Sequence, residues 1–177
     1  MRCTECGTQD FEQIPLPEYE TDAPGIRVVL KDTVIRYVCK QCGAAKIRLP
    51  RVTTGLSQAL AMIRVLVPVK LTAEELRFLR KVVGMTQKEF GEKIIPGADP
   101  STISRWENDT QGVGGYTELV IRQNIAALLA DTVKAVPYDP KFAIGMQIHD
   151  APPPRIAVRP VKVRSAGEIS EGWAEAA

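Results

Sequence analysis

Two short segments, Cys3-Thr4-Glu5-Cys6-Gly7 and Cys39-Lys40-Gln41-Cys42-Gly43, contain all four cysteines of the chain and repeat one pattern, Cys-x-x-Cys-Gly. Two thiolates on so tight a loop can converge on a single ion, and the glycine that follows can take the positive φ that turns its N–H toward a cysteine. A pair of such loops supplies four soft sulfurs, the number that a closed structural zinc site requires. The chain is therefore expected to fold around one structural Zn²⁺ held by Cys3, Cys6, Cys39 and Cys42. Four thiolates in a tetrahedron also suit iron, and metal analysis separates the two. A thioredoxin-type redox pair needs a single Cys-x-x-Cys in a βαβ setting, which this spacing does not offer. Disulfides require an oxidising compartment, whereas Met1 leads straight into Arg2-Cys3 with no apolar signal segment, so reduced cysteines and a cytoplasmic location are expected.

The cysteines fall in the first 42 of 177 residues, while the strongest helical periodicity lies beyond residue 71. This segregation predicts a zinc-ribbon domain over 1–50, a connector over 51–70, a helical domain over 71–135 and a proline-rich tail over 136–177. Lys and Arg number 23 against 21 Asp and Glu, a net charge of +2, so no global basic field dictates a nucleic-acid partner and any such binding must come from local placement of charge. The longest apolar stretch, Leu56 to Val69, is interrupted by Ser57, Gln58, Arg64 and Pro68 and is too short to span a bilayer. The single histidine, His149, lies in the tail, and no Ser-His-Asp, Cys-His or open three-ligand metal arrangement can be assembled. Neither an enzyme nor a small-molecule substrate is expected.

Between the cysteine loops, Ile26–Leu30 and Thr33–Val38 are β-branched and aromatic runs separated by Lys31-Asp32, which reads as strand, turn, strand. Ala45–Leu49 alternates and would add a short strand, with Tyr19, Val29, Ile35 and Tyr37 forming a small core under the metal. In the connector, Leu56, Leu60, Ile63 and Val67 recur at helical spacing up to Pro68. Past Val136, prolines at 137, 140, 152, 153, 154 and 160 predict an extended or partly disordered tail. Its basic, β-prone segment Arg155–Arg164 would suit a strand on a partner's sheet edge or an arm on a phosphate backbone. The fold class is α+β.

The helical domain has clear punctuation. Thr72 can cap a helix over Ala73–Val83 with Leu76, Leu79 and Val83 on one face, and Gly84 ends it at C′. Thr86-Gln87-Lys88-Glu89 is a capping box opening a second helix, with Phe90 and Ile94 inward and Gly91 permitting a close crossing. Asp99 caps a third over Pro100–Asn108, with Pro100 at the first position. That helix turns Ile103, with Trp106 or Glu107, inward and Ser101, Thr102, Ser104 and Arg105 outward, a surface able to enter a major groove as a helix-turn-helix. Arg105 can donate two parallel bonds to guanine O6 and N7, while Ser101 and Thr102 can meet a phosphate or a thymine methyl. Thr86, Gln87 and Lys88 sit where free N–H groups and the helix dipole favour a phosphate. A further helix over Thr117–Ala130 presents Leu119, Ile121, Ile125, Leu128 and Leu129, more apolar positions than one small bundle uses, and part of the surplus would form a homodimer interface. With 8 basic and 9 acidic residues in 71–135, binding by one subunit should be modest and two half-sites should supply much of the affinity.

The stretch Glu75–Asn108, with Met85-Thr86-Gln87-Lys88-Glu89-Phe90-Gly91 and Ser101-Thr102-Ile103-Ser104-Arg105-Trp106-Glu107-Asn108, resembles the helix-turn-helix of the Cro/phage-repressor type. Paired cysteine loops ahead of such a domain are similar to the MqsA (YgiT-type) antitoxins over residues 1 to about 130, leaving the tail uncovered. The resemblance implies a zinc domain that holds a cognate toxin and a dimeric domain that binds operator double-stranded DNA and represses its own operon, in the bacterial cytoplasm at the nucleoid. It implies that the four cysteines are the metal ligands, that Arg105 reads a base and that Arg80 clamps Glu107. Ser101 departs from the asparagine of the best-known members, and a hydroxyl cannot make the bidentate adenine contact of an amide. The alternative is an autonomous zinc-containing, prophage-type transcriptional regulator with no toxin, and an adjacent toxin gene would distinguish the two.

Overall fold

The computed structural model describes residues 1–22, 25–49, 54–165 and 168–176. It is an α+β fold in which a mixed five-stranded sheet is joined to five helices. Two long strands, β1 (Phe11–Thr21) and β2 (Val28–Cys39), form an antiparallel pair that ends at the cysteine loops. One side of β2 is shared. Its cysteine-proximal residues Ile35–Val38 pair antiparallel with β3 (Ala45–Arg48), and its opposite end, Val28–Leu30, pairs parallel with β4 (Ile156–Ser165). Antiparallel β5 (Glu168–Glu175) completes the order β1-β2-β4-β5.

Two sequence expectations are corrected here. Lys31-Asp32 is no hairpin turn, because β2 runs through it unbroken. Asp32 and Thr33 together oppose the single residue Pro17, and Asp32 takes a φ of 56°, so the turn-like dipeptide is a β-bulge. Pro15 and Pro17 of β1 are accommodated because β1 is an edge strand. The segment expected to serve as an arm or as a strand on a partner's sheet folds back as the β4–β5 hairpin on this chain's own sheet, with Ile156 and Val158 buried. Pro160 falls beyond Val158, the last residue that pairs with β2, so it interrupts no bond of that ladder.

The helices are α1 (Thr54–Leu66), α2 (Ala73–Val82), α3 (Gln87–Lys93), α4 (Pro100–Glu107) and α5 (Gly115–Leu129). Their starts follow the local chemistry. Thr72 and Glu75 form a capping box at α2, Thr86 and Glu89 another at α3, and Asp99 accepts the Ser101 N–H ahead of Pro100 at α4. Gly84, at a φ of 70°, stops the chain after the Val83 C-cap. Gly91 answers a different neighbour from the one expected: a Cβ there would lie 2.2 Å from the carbonyl oxygen of Ala98, so the close approach is made by the turn before α4 and not by a crossing helix.

The connector expected over 51–70 contains the most enclosed helix of the fold. Along α1, Leu56, Ala59, Leu60, Ala61, Met62, Ile63, Arg64 and Val65 are all buried, and it packs on α2, α5, β4 and β5. The sheet residues Val28, Leu30 and Val34, this helix, and Leu76, Leu79, Phe90, Ile103, Ile121 and Ile125 of α2–α5 belong to one continuous core. Each such side chain contributes about 1.5–3 kcal/mol by leaving water, so the sheet and the helices stabilise one another across α1. No helix among the described residues is long and apolar enough to cross a membrane.

Candidate functional site

The two cysteine loops are built alike. In the first, Gly7 N–H donates to Cys3 O at 3.1 Å with Gly7 at a φ of 74°; in the second, Gly43 N–H donates to Cys39 O at 2.9 Å with Gly43 at 75°. Each first cysteine is anchored by its own N–H, Cys3 to Thr8 O and Cys39 to Ala44 O, both at 2.8 Å. The loops are joined where Lys40 N–H donates to Asp10 O at 3.2 Å. These turns bring all four Sγ atoms within 4.8 Å of one another, with Cys3 to Cys42 at 3.6 Å and Cys6 to Cys39 at 3.5 Å.

The donor set and spacing fit a metal ion. A tetrahedron with metal–sulfur bonds of about 2.3 Å has sulfur–sulfur edges of about 3.8 Å, close to both observed cross-loop distances and far beyond a disulfide bond. Backbone N–H groups are also aimed at the sulfurs. Those of Cys6 and Glu5 hold the Cys3 thiol down at about 6 against the effect of burial. Burial raises Cys39, but the N–H groups of Cys42 and Gln41 outweigh it and leave that thiol lowered. The Thr8 N–H lowers Cys6, yet burial and the Cys39 sulfur leave it raised. At Cys42 the Ala44 N–H lowers the thiol, but the Cys39 sulfur, burial and the other two sulfurs together push it up to about 12. Four sulfurs this close cannot all be anionic unless a cation sits among them, and a divalent ion would remove the remaining protons. Cys3, Cys6, Cys39 and Cys42 are thus a candidate metal centre in which soft-ligand, tetrahedral zinc or iron would be at home.

The residues expected to meet DNA lie on α3, α4 and their caps. On α4, Ile103, Trp106 and Glu107 are buried, Ser101 and Arg105 are exposed, and Thr102 and Ser104 are half-buried. Arg105 donates to Thr102 Oγ at 2.9 Å, so the guanidinium lies along the outer face of the helix. Ser104 Oγ accepts from Asn108 Nδ2 at 3.3 Å. At the start of α3, Lys88 is exposed and its ammonium lies 3.9 Å from Glu92. The Thr86 hydroxyl is engaged in its capping box with Glu89. Gln87 opens α3 as expected, and its half-buried side-chain amide donates to Glu107 Oε2 at 3.0 Å.

Glu107 organises this pair of helices. Arg80 of α2 grips its carboxylate with Nε at 2.6 Å and Nη2 at 3.0 Å, and donates a third bond to Met85 O at 2.8 Å. Burial opposes ionisation of Glu107, but Arg80, Gln87 and Arg77 hold its carboxyl below the usual range. The Arg80–Glu107 contact expected from the resemblance is therefore present, and it fixes α4 against α2 and α3.

A second polar cluster escaped the sequence reading. Arg64 and Arg122 are fully buried. Arg64 pairs with Glu75 at 2.6 and 2.8 Å and donates to Val69 O at 3.0 Å and Lys70 O at 2.9 Å. Arg122 pairs with Glu118 at 2.6 Å and donates to Val65 O at 3.0 Å, Val67 O at 2.6 Å and Val69 O at 2.5 Å. Glu118 and Glu75 in turn accept the N–H groups of Leu71 and Thr72 at 3.0 and 2.9 Å. The α1–α2 connection is thereby hydrogen-bonded on both sides to two neutral ion pairs. Arg64 in an apolar run and the i,i+4 pair Glu118/Arg122 were visible signals, but such charges ordinarily read as solvent-facing.

Comparison with protein-family models, with curated proteins and with solved structures returns no match in any of the three.

Proposed function

We propose that this protein is the antitoxin of a toxin–antitoxin pair and represses its own operon, with α3 and α4 serving as a helix-turn-helix on operator DNA. In this reading two copies act together, and the sheet and cysteine loops around a zinc ion hold the toxin. The observation that carries it is the division of α4: Arg105 lies on the outer face beside Ser101, Thr102 and Ser104, while Ile103, Trp106 and the clamped Glu107 fix the helix from within. A recognition helix needs this combination of a rigid inner face and an outward arginine. Lys88, exposed on α3, is suited to a phosphate, whereas Gln87 supports Glu107. The four-thiolate cluster supports a structural metal and not a catalytic one, because a closed shell leaves no open coordination position.

The test is to express the neighbouring open reading frame with and without this protein, scoring growth and then co-purification. Growth arrest by the neighbour alone, relieved in a stable complex, is the expected outcome. A harmless neighbour that does not associate would replace the antitoxin reading with that of an autonomous zinc-containing regulator.

A further inference from the structure

The four cysteines differ in burial in a way that a purely structural metal site does not require. Cys3 and Cys39 are buried, at 5% and 1% exposure, whereas Cys6 and Cys42 are exposed, so each loop contributes one buried and one exposed cysteine. The exposed cysteine of each loop also has its sulfur beside that of the buried cysteine of the other, Cys6 at 3.5 Å from Cys39 and Cys42 at 3.6 Å from Cys3. Thiolate oxidation follows exposure, and a sulfenic acid is resolved by whichever thiolate is within reach.

From this arrangement we infer that the centre is a site of reversible oxidation by hydrogen peroxide, in which two cross-loop disulfides, Cys6–Cys39 and Cys3–Cys42, replace the metal. The inference rests on the reading of these cysteines as metal ligands. In the first step the Cys6 sulfur, which a bound divalent ion would keep as a thiolate, attacks one peroxide oxygen, the O–O bond breaks, and hydroxide leaves to become water on protonation, giving a sulfenic acid. The Cys39 thiolate then attacks the Cys6 sulfur, the S–O bond breaks, and a second hydroxide leaves as water. Two electrons pass from the two sulfurs to one peroxide, with two protons taken from solvent. A second peroxide oxidises Cys42 and Cys3 in the same way, and the metal ion, left without thiolates, departs. Because both bonds join one loop to the other, the start of the chain stays fastened to the β2–β3 turn and the sheet survives loss of the ion. Reduction by a thiol restores the ligands.

The sequence permits a direct test on the full-length, zinc-loaded chain. Zinc content is measured first, peroxide is then titrated against release of zinc to a chromogenic chelator, and the product is alkylated and digested without reduction. Trypsin leaves Cys3 and Cys6 together on peptide 3–27 but separates Cys39 on 37–40 from Cys42 on 41–46, and cleavage after Glu5 separates Cys3 from Cys6. The expected result is one zinc released for two peroxides, with 37–40 bound to the fragment carrying Cys6 and 41–46 bound to the fragment carrying Cys3. Disulfides confined within each loop, or thiols still reduced at a tenfold excess of peroxide, would overturn the inference. A chain that purifies without metal would instead defeat the metal reading, and its disulfide map would still decide the oxidation chemistry.

Discussion

Replacing Arg122 with methionine keeps most of the side chain's bulk while deleting its guanidinium. The change strips the Glu118 carboxylate, 1% exposed, of its charged partner and leaves it the Leu71 N–H. The Val65 carbonyl loses its Arg122 donor at 3.0 Å, while Val69 keeps its bond to Arg64 at 3.0 Å. Burial lowers the pKa of Arg122, a measure of how poorly water reaches this guanidinium, but an arginine this well paired stays charged. Removing one partner of such a buried pair costs about 3–5 kcal/mol, a large share of the roughly 5–15 kcal/mol that holds a typical domain together. In urea, at a slope of about 2 kcal/mol/M, the midpoint should fall by roughly 1.5–2.5 M with the slope unchanged. The transition can be followed by the fluorescence of Trp106 in the helical layer and Trp173 in the β4–β5 hairpin. Combining Arg122→Met with Glu118→Gln should restore part of the loss, because the amide oxygen can still accept from Leu71 N–H and no unpaired charge is buried. A single-variant loss below about 1 kcal/mol, the range of exposed pairs, would show that the buried pair does not hold the core, as would a double variant less stable than Arg122→Met alone.

Other perturbations probe separate links. Gly91→Ala sets a methyl group against the Ala98 carbonyl, and overpacking of this kind should cost about 1–3 kcal/mol in thermal unfolding, whereas Gly112→Ala, with nothing within 4 Å, should change stability by less than about 0.5 kcal/mol. Because the folded carboxyl of Glu107 titrates below its ordinary value, its contribution is present above about pH 4.3 and is lost as the pH falls through the folded value; stability should therefore decline in acid, and Glu107→Gln should flatten that decline. Glu89 and Asp99, lowered by the N–H and hydroxyl groups they cap, act in the same direction. Deleting the chain from Ile156 onward removes the buried Ile156 and Val158 and the strands that α1 packs on, so the urea midpoint should drop, and an unchanged midpoint would show that the hairpin is accessory.

What the sequence made legible was local. The cysteine loops, the Thr86–Glu89 capping box, the Asp99-Pro100 start and the Gly84 stop each combine a residue type with a short-range bond, and each is found where the residues indicate. Features that depend on distant partners were hidden. Asp32 reads as a turn because its positive φ belongs equally to a bulge, and only the pairing with β1 across Pro17 distinguishes them. Pro15 and Pro17 disguised an edge strand. Arg64 seemed to break an apolar run, when a carboxylate eleven residues later neutralises it in the core. Gln87 lies at a position suited to phosphate, yet its amide reaches twenty residues ahead to Glu107. The proline-dense tail has little helical or core character of its own, and its hairpin forms because β2 offers an edge more than a hundred residues earlier in the chain.

Base reading by Arg105, proposed for α4, can be measured by equilibrium binding of the wild-type chain and of Arg105→Ala to two duplexes, the region upstream of its own gene and a scrambled sequence, at several salt concentrations. Arg105→Ala should weaken specific binding by about 1–3 kcal/mol, roughly 5- to 150-fold, and leave binding to the scrambled duplex nearly unchanged. An equal loss on both duplexes, with a shallower salt slope, would make Arg105 a phosphate contact and contradict base reading.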